Sequence, residues 1–217
     1  MNVIEIIQQN KLLPVFNHPD PVVARRVVKA CYDAGLRVFE WTNRGENAAN
    51  GFAAIREWIS TMAPEMVLGA GTIFDGNSAR QFIGLGAKFI VSPVLDPEVR
   101  DACVEMNVPW IPGTGTVTEI HQAYKWGAEM VKVFPGETIG GPAFVKAVRG
   151  PMPWVKIMPT GGVTTDAVNL KDWFSAGVCC VGIGSGLFTP ELINQADPEP
   201  LKRKIEETLA LVRSLPA

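Results

Sequence analysis

Histidine is scarce in this chain of 217 residues, with two in all, and its four cysteines include no Cys-x-x-Cys pair. His18 and His121 lie far apart without a metal-type spacing, which argues against a dedicated zinc site. Neither stands beside a nucleophile motif, so a histidine-centred triad is poorly supported. Cys31 and Cys103 are isolated, and adjacent Cys179 and Cys180 should alternate across a strand rather than share one ligand set. Reduced, packed thiols and no bound metal are the expectation.

An excess of one charge is lacking too. Twenty Lys and Arg stand against 22 Asp and Glu, for a formal net charge of −2. With no basic block or stripe, no nucleic-acid partner is expected. The opening MNVIEIIQQNKLLPVF places acidic Glu5 early and lacks a basic start, a long apolar core and a small-residue cleavage site. That argues against a signal peptide. No apolar run approaches the length of a membrane span, so the expectation is a cytoplasmic protein with no membrane partner.

What the chain does have is short apolar runs alternating with helical patterns. At 47% hydrophobic it can build one sizeable core, read as a single domain over 1–217. The runs are LLPVF (12–16), VFEWT (38–42), VLGAGT (67–72), FIVSP (89–93), WIPGTG (110–115), MVKVFP (130–135), VKIMPTGG (155–162) and CVGIGSG (180–186). Each is continuously apolar rather than alternating, as suits parallel strands covered on both faces. Pro14 and Pro112 weaken the first and fifth, because proline cannot donate to a ladder. Between the runs, segments such as DPVVARRVVKACYDAG show helical spacing, often with Asp, Thr or Gly at the start and Gly or Asn at the end. Eight strand–helix units argue for a (β/α)8 TIM barrel at the small end of its length range, with a doubly wound open sheet as the competing architecture.

In a barrel, chemistry collects at the C-terminal ends of the strands. There the chain offers Glu40 and Arg44 after the second strand, Thr72 after the third and Pro93 after the fourth. Lys132 and Phe134 lie on the sixth, Thr160, Gly161 and Gly162 follow the seventh, and Gly184, Ser185 and Gly186 follow the eighth. Each has a plain alternative: a surface ion pair for Glu40, a helix cap for Thr72, tight turns for the glycines. Their joint placement on one face is what singles them out. The glycine turns after strands seven and eight also suit phosphate, since backbone N–H groups can approach an anion there.

Lys132 is the harder residue. In EMVKVFPGE it is flanked by Val131, Val133 and Phe134, whereas an ammonium is costly to bury. VKIMP gives Lys156 a matching position, but Pro151 and Pro153 place Lys156 where a strand has barely begun. A desolvated lysine has a lowered pKa and can attack a carbonyl as the free amine. A partly buried Glu40 across the barrel would have its pKa raised toward a useful range.

The chain resembles the 2-keto-3-deoxy-6-phosphogluconate / 4-hydroxy-2-oxoglutarate aldolases, class I barrel enzymes. The likeness runs nearly end to end, through LLPVF, AGLRVFEWTNR, GAGT, FIVSP, PWIPG, VKVFPGE, GGPAFVKAVRGP, MPTGGV and GIGSGLF. The resemblance implies Lys132 as the Schiff-base residue and Glu40 as general acid/base. It implies Arg44, Thr72 and Pro93 around the pyruvate carboxylate, Phe134 as a pocket wall, and Gly161, Gly162 and Ser185 at the phosphate end. It also implies a keto-acid substrate cleaved to pyruvate and an aldehyde, no cofactor, and a homotrimer. Departures fall at Trp41, at Thr42-Asn43-Arg44-Gly45 and in PGTGTVTE, all bordering the pocket, and they bear on the aldehyde half. A phosphosugar epimerase or isomerase and a non-catalytic phosphosugar-binding barrel are the competing readings.

Overall fold

The computed structural model describes residues 2–216. Its parallel strands are the apolar runs of the sequence, the first two in full and the rest trimmed. They are β1 (Leu12–Phe16), β2 (Val38–Thr42), β3 (Val67–Gly71), β4 (Ile90–Val91), β5 (Trp110–Ile111), β6 (Gly113–Thr114), β7 (Val131–Val133), β8 (Ile157–Pro159) and β9 (Val181–Ile183). One sheet runs β5-β4-β3-β2-β1-β9 and a second runs β6-β7-β8. Pro112 separates β5 from β6, so these two are halves of one barrel strand. A parallel bridge between Thr160 and Gly182 joins the far edges and closes the ring. The result is a (β/α)8 barrel whose fifth strand is broken at a proline.

Pro112 therefore does what a residue without an N–H should do in a ladder, and its carbonyl still accepts from Lys132 N at 2.8 Å. Pro14 does not break β1, which pairs with β2 on one side and with β9 on the other. Glu40 lies inside β2 rather than beyond it, and Phe134 lies just past β7 rather than on it.

Around the ring stand α2 (Pro21–Asp33), α3 (Ala48–Met62), α4 (Gly76–Gly84), α5 (Pro97–Glu105), α6 (Val117–Lys125), α7 (Gly141–Arg149), α8 (Ala167–Ser175) and α10 (Glu199–Ser214), with the short α9 (Pro190–Ile193) before the last. Asp20, Asp75, Asp96, Thr116 and Asp166 cap their helices by accepting from backbone N–H groups of the first turn. A further helix, α1 (Val3–Asn10), precedes β1 and has no counterpart in the sequence reading. It starts on a capping box in which Asn2 and Glu5 satisfy one another's backbone donors.

That helix stoppers the barrel. Its Ile4 and Ile7 pack with Leu13, Val38, Phe89, Val91, Ile111, Met130, Met158 and Cys180, which fill the barrel interior as one buried cluster. Fully burying a side chain of this kind contributes roughly 1.5–3 kcal/mol. Gly69 completes the layer by leaving room, since a Cβ there would fall 2.3 Å from the Phe89 ring. Side chains alternate along a strand, so the next inward layer lies two residues further along each strand. It comprises Val15, Glu40, Gly71, Pro93, Gly113, Lys132, Thr160 and Gly182. The packed apolar layer is the base on which this second, partly polar layer, the floor of the barrel mouth, rests.

Candidate active site

Lys132 is 5% exposed and Glu40 is fully buried. Neither Glu40 oxygen has a hydrogen-bond partner, and Thr160 Oγ1 in the same layer has none either. Buried polar groups are ordinarily satisfied, and one left without a partner costs about 1–3 kcal/mol. Three such atoms in one layer mark a place built for something other than stability.

The neighbouring glycines explain how the sequence makes room. A Cβ on Gly71 would sit 1.8 Å from Glu40 Oε1, so the carboxyl occupies the space above that residue. On Gly113 it would fall 2.2 Å from the Pro93 backbone, which lets the fourth strand's exit press against the strand that pairs with Lys132. Thr114 Oγ1 donates to the Lys132 carbonyl at 3.2 Å and fixes the backbone there. The Lys132 ammonium position lies 4.9 Å from the centre of the Phe134 ring.

The electrostatics follow from burial. Desolvation pushes the Glu40 carboxyl up, while the positive charges of Lys132 and Arg44 pull it back. Desolvation pushes the Lys132 amine down, Glu40 opposes this, and Arg44 adds to the lowering. Both groups are thus driven toward their neutral forms, an amine with a free lone pair and a carboxylic acid able to give a proton. Lys156 differs: it lies just before β8, is only half-buried, and its backbone N donates to Tyr124 Oη at 2.5 Å.

Above this layer is a cleft of about 370 Å³ lined by Asn17, Thr42, Arg44, Phe134, Thr160 and the two glycine turns with Ser185. Of the residues singled out in the sequence, Arg44, Phe134, Gly161, Gly162 and Ser185 meet in this cleft, and Lys132 and Glu40 belong to the layer beneath it. Thr72 and Pro93 do not line it. Thr72 follows β3 directly with a φ of 62°, a left-handed conformation that costs a β-branched residue about 1–2 kcal/mol. Larger cavities of about 670 Å³ beside α3 and 530 Å³ against α1 include neither Lys132 nor Glu40.

The glycine turns serve the fold as well as the cleft. Gly161 and Gly162 have φ of 89° and 81°. A Cβ on Gly162 would also fall 2.1 Å from Glu137 Cβ, so that glycine is required by packing whether or not an anion binds. Asn17 and Thr42, two residues beyond Val15 and Glu40, were not among the candidates. The alternation that places Glu40 and Val15 inward was the signal that leads to them.

Fold and site together define a β/α barrel with a desolvated amine and a desolvated carboxyl group beneath an open rim, equipment suited to lysine-dependent carbonyl chemistry. The model of the KDPG and KHG aldolase family matches residues 3–203. A 2-dehydro-3-deoxy-phosphogluconate aldolase of Treponema pallidum is 31% identical over 212 residues, covering 98% of both chains. Among solved structures, the 2-keto-3-deoxy-6-phosphogluconate aldolase of Zymomonas mobilis with 3-phosphoglycerate superposes with a TM-score of 0.85 at 25% identity, over 99% of this chain and 98% of that one. A KDPG aldolase from Legionella pneumophila, with pyruvate captured as a covalent carbinolamine, gives 0.78 at 25% identity over 98% and 97%. The chain belongs to the KDPG and KHG aldolase family.

Proposed function

We propose that this protein is a class I aldolase that reversibly cleaves a 2-keto-4-hydroxy acid to pyruvate and an aldehyde through a Schiff base on Lys132. The observation that carries the assignment is the buried Lys132 amine, which desolvation drives toward its neutral, nucleophilic form. Lys132 attacks the C2 carbonyl to give a carbinolamine, and Glu40, starting as its carboxylic acid, gives its proton to the departing hydroxyl, so that water leaves, a protonated imine remains and Glu40 becomes a carboxylate. Glu40 removes the C4 hydroxyl proton as the C3–C4 bond breaks, and the electron pair moves into the imine to form an enamine. Protonation of the enamine at C3 and hydrolysis release pyruvate. The imine supplies the electron sink, so no metal or organic cofactor takes part.

The substrate pair follows the family name: 2-keto-3-deoxy-6-phosphogluconate yields glyceraldehyde 3-phosphate, and 4-hydroxy-2-oxoglutarate yields glyoxylate. Arg44 offers the substrate carboxylate a guanidinium that makes no salt bridge among the described residues. Thr72 and Pro93, which stand outside the cleft lining, shape the carboxylate end from behind it, and Phe134 forms a wall. Gly161, Gly162 and Ser185 receive a phosphate. We place the enzyme in the cytoplasm as a homotrimer and read 1–217 as one domain. Phe74, Val94 and Val117 support a subunit contact, being exposed apolar residues that follow β3, β4 and β6 at the barrel mouth. Among the described residues no helix is long and apolar enough to cross a membrane.

Borohydride reduction in the presence of pyruvate tests the mechanism. The expected outcome is inactivation with a three-carbon adduct on Lys132 in peptide mass mapping. An adduct on Lys156 overturns the residue assignment, and absence of any adduct overturns the imine.

A further inference from the structure

Asn17 follows β1 directly, in the layer above Val15, and its carboxamide reaches across to the end of β2. Its Nδ2 donates to the Arg44 carbonyl at 2.7 Å, and its Oδ1 accepts from Thr42 Oγ1 at 2.9 Å. The amide orientation is fixed by these partners, since the Arg44 carbonyl can only accept. Backbone bonds secure the same turn from the other side: Asn43 N donates to Gly71 O at 2.7 Å and Arg44 N to Thr42 O at 2.9 Å. Gly45, with φ of 87°, then turns the chain away toward α3. Arg44 thus stands at the apex of a turn tied to β1 through one side chain and to β3 through one backbone bond. Its own side chain is exposed and lines the cleft together with Asn17 and Thr42.

We propose that Asn17 is a positioning residue of this site: it clamps the Thr42–Gly45 turn so that the Arg44 guanidinium is held over the barrel mouth to meet the keto-acid carboxylate. This rests on the carboxylate-binding reading of Arg44. A long side chain rooted on a glycine-ended turn loses much freedom when it grips a ligand, and fixing its root in advance removes part of that cost. Because the clamp touches neither Lys132 nor Glu40, its loss should weaken binding of the keto acid and leave the bond-breaking step in place.

The test is a double-mutant cycle on kcat and KM with 4-hydroxy-2-oxoglutarate, using wild type, Asn17→Ala, Arg44→Ala and the pair. Asn17→Ala removes both the bond to the Arg44 carbonyl and the one from Thr42, and should raise KM by about 3–10-fold with kcat within about twofold. Arg44→Ala should raise KM further, and in that background Asn17→Ala should add less than about twofold. Thr42→Val, which frees Asn17 Oδ1 while leaving the Arg44 bond, gives a second reading should Asn17→Ala fold poorly. It should raise KM in the same direction by less, and be silent beside Arg44→Ala. Equal losses from Asn17→Ala, or from Thr42→Val, in both arginine backgrounds would show a role independent of Arg44 and overturn the proposal, as would a fall in kcat alone. An unchanged KM in Arg44→Ala is a different result: it removes the carboxylate role of Arg44 itself, and the clamp's purpose with it.

Discussion

Glu40 and Ser185 belong to the same barrel mouth and are built in opposite ways. Glu40 is fully buried in the middle of β2, with both oxygens unpartnered and a glycine kept bare to hold them. Ser185 is exposed on a turn between two glycines, open to solvent. The floor acquires its properties from what is withheld, namely water and hydrogen-bond partners, and withholding them shifts two titratable groups toward neutrality. The rim offers what any exposed polar turn offers, donors and a positive charge in reach of a ligand. Reaction type should therefore depend on the floor and substrate choice on the rim.

Substitutions that separate the two regions test this division. The largest effect is expected from Glu40→Gln, which keeps shape and removes the transferable proton. Turnover should fall roughly 10²–10⁴-fold while borohydride still traps pyruvate on Lys132. Near-normal steady-state turnover would make Glu40 structural. The same variant has a signature in stability. Burial holds the Glu40 carboxyl above its ordinary value of 4.5, so the folded chain binds that proton more tightly than the unfolded one. The resulting stability is fully present below the unfolded value and is lost as pH rises through the folded one. Glu40→Gln should therefore gain stability relative to wild type as pH increases across that window, in denaturant titrations. A constant difference would mean that Glu40 titrates normally.

Gly71→Ala is a gentler probe of the floor. Gly71 has no left-handed backbone to strain, and the added methyl meets the Glu40 side chain first, at 1.8 Å from Oε1. Displacing that carboxyl by about an ångström should cost on the order of 10² in kcat, with KM little changed. An unchanged kcat would show that the carboxyl position is not critical. The smallest effect belongs to the rim. Ser185→Ala should lower kcat/KM about 3–10-fold for the phosphorylated keto acid, a single hydrogen bond's worth, and leave 4-hydroxy-2-oxoglutarate untouched. Equal losses on both substrates would assign Ser185 to the fold. Gly162→Ala cannot serve here, because it collides with Glu137 whatever the ligand.

The strands were legible because parallel strands covered on both faces must be apolar throughout. LLPVF and VFEWT match β1 and β2 residue for residue. That same uniformity hid the register. A run without alternation does not say which side chains face inward, so a Glu40 partly buried across the barrel is expected from the sequence, but at the end of β2 rather than in its middle. The break at Pro112 could be anticipated from the missing N–H. Helix α1 went unread although its Asn2–Glu5 capping box was present, because eight residues give a weak periodic signal. Lys132 drew attention through its apolar neighbours. Asn17 did not, since a polar residue just past a strand ordinarily reads as the start of a loop, and its partner Thr42 lies 25 positions away.

Helix α1 has a kinetic consequence. With Ile4 and Ile7 sealing one end of the barrel, the described residues leave the mouth as the door to Lys132. In the proposed mechanism the three carbons destined to become pyruvate are tethered to Lys132 at the bottom of that passage, and the aldehyde is formed above them. The aldehyde must then depart first in cleavage and arrive last in synthesis, so the order of events is imposed by the shape of the vessel. Product inhibition should reveal it: pyruvate should compete directly with the keto acid for the free enzyme, and the aldehyde should not.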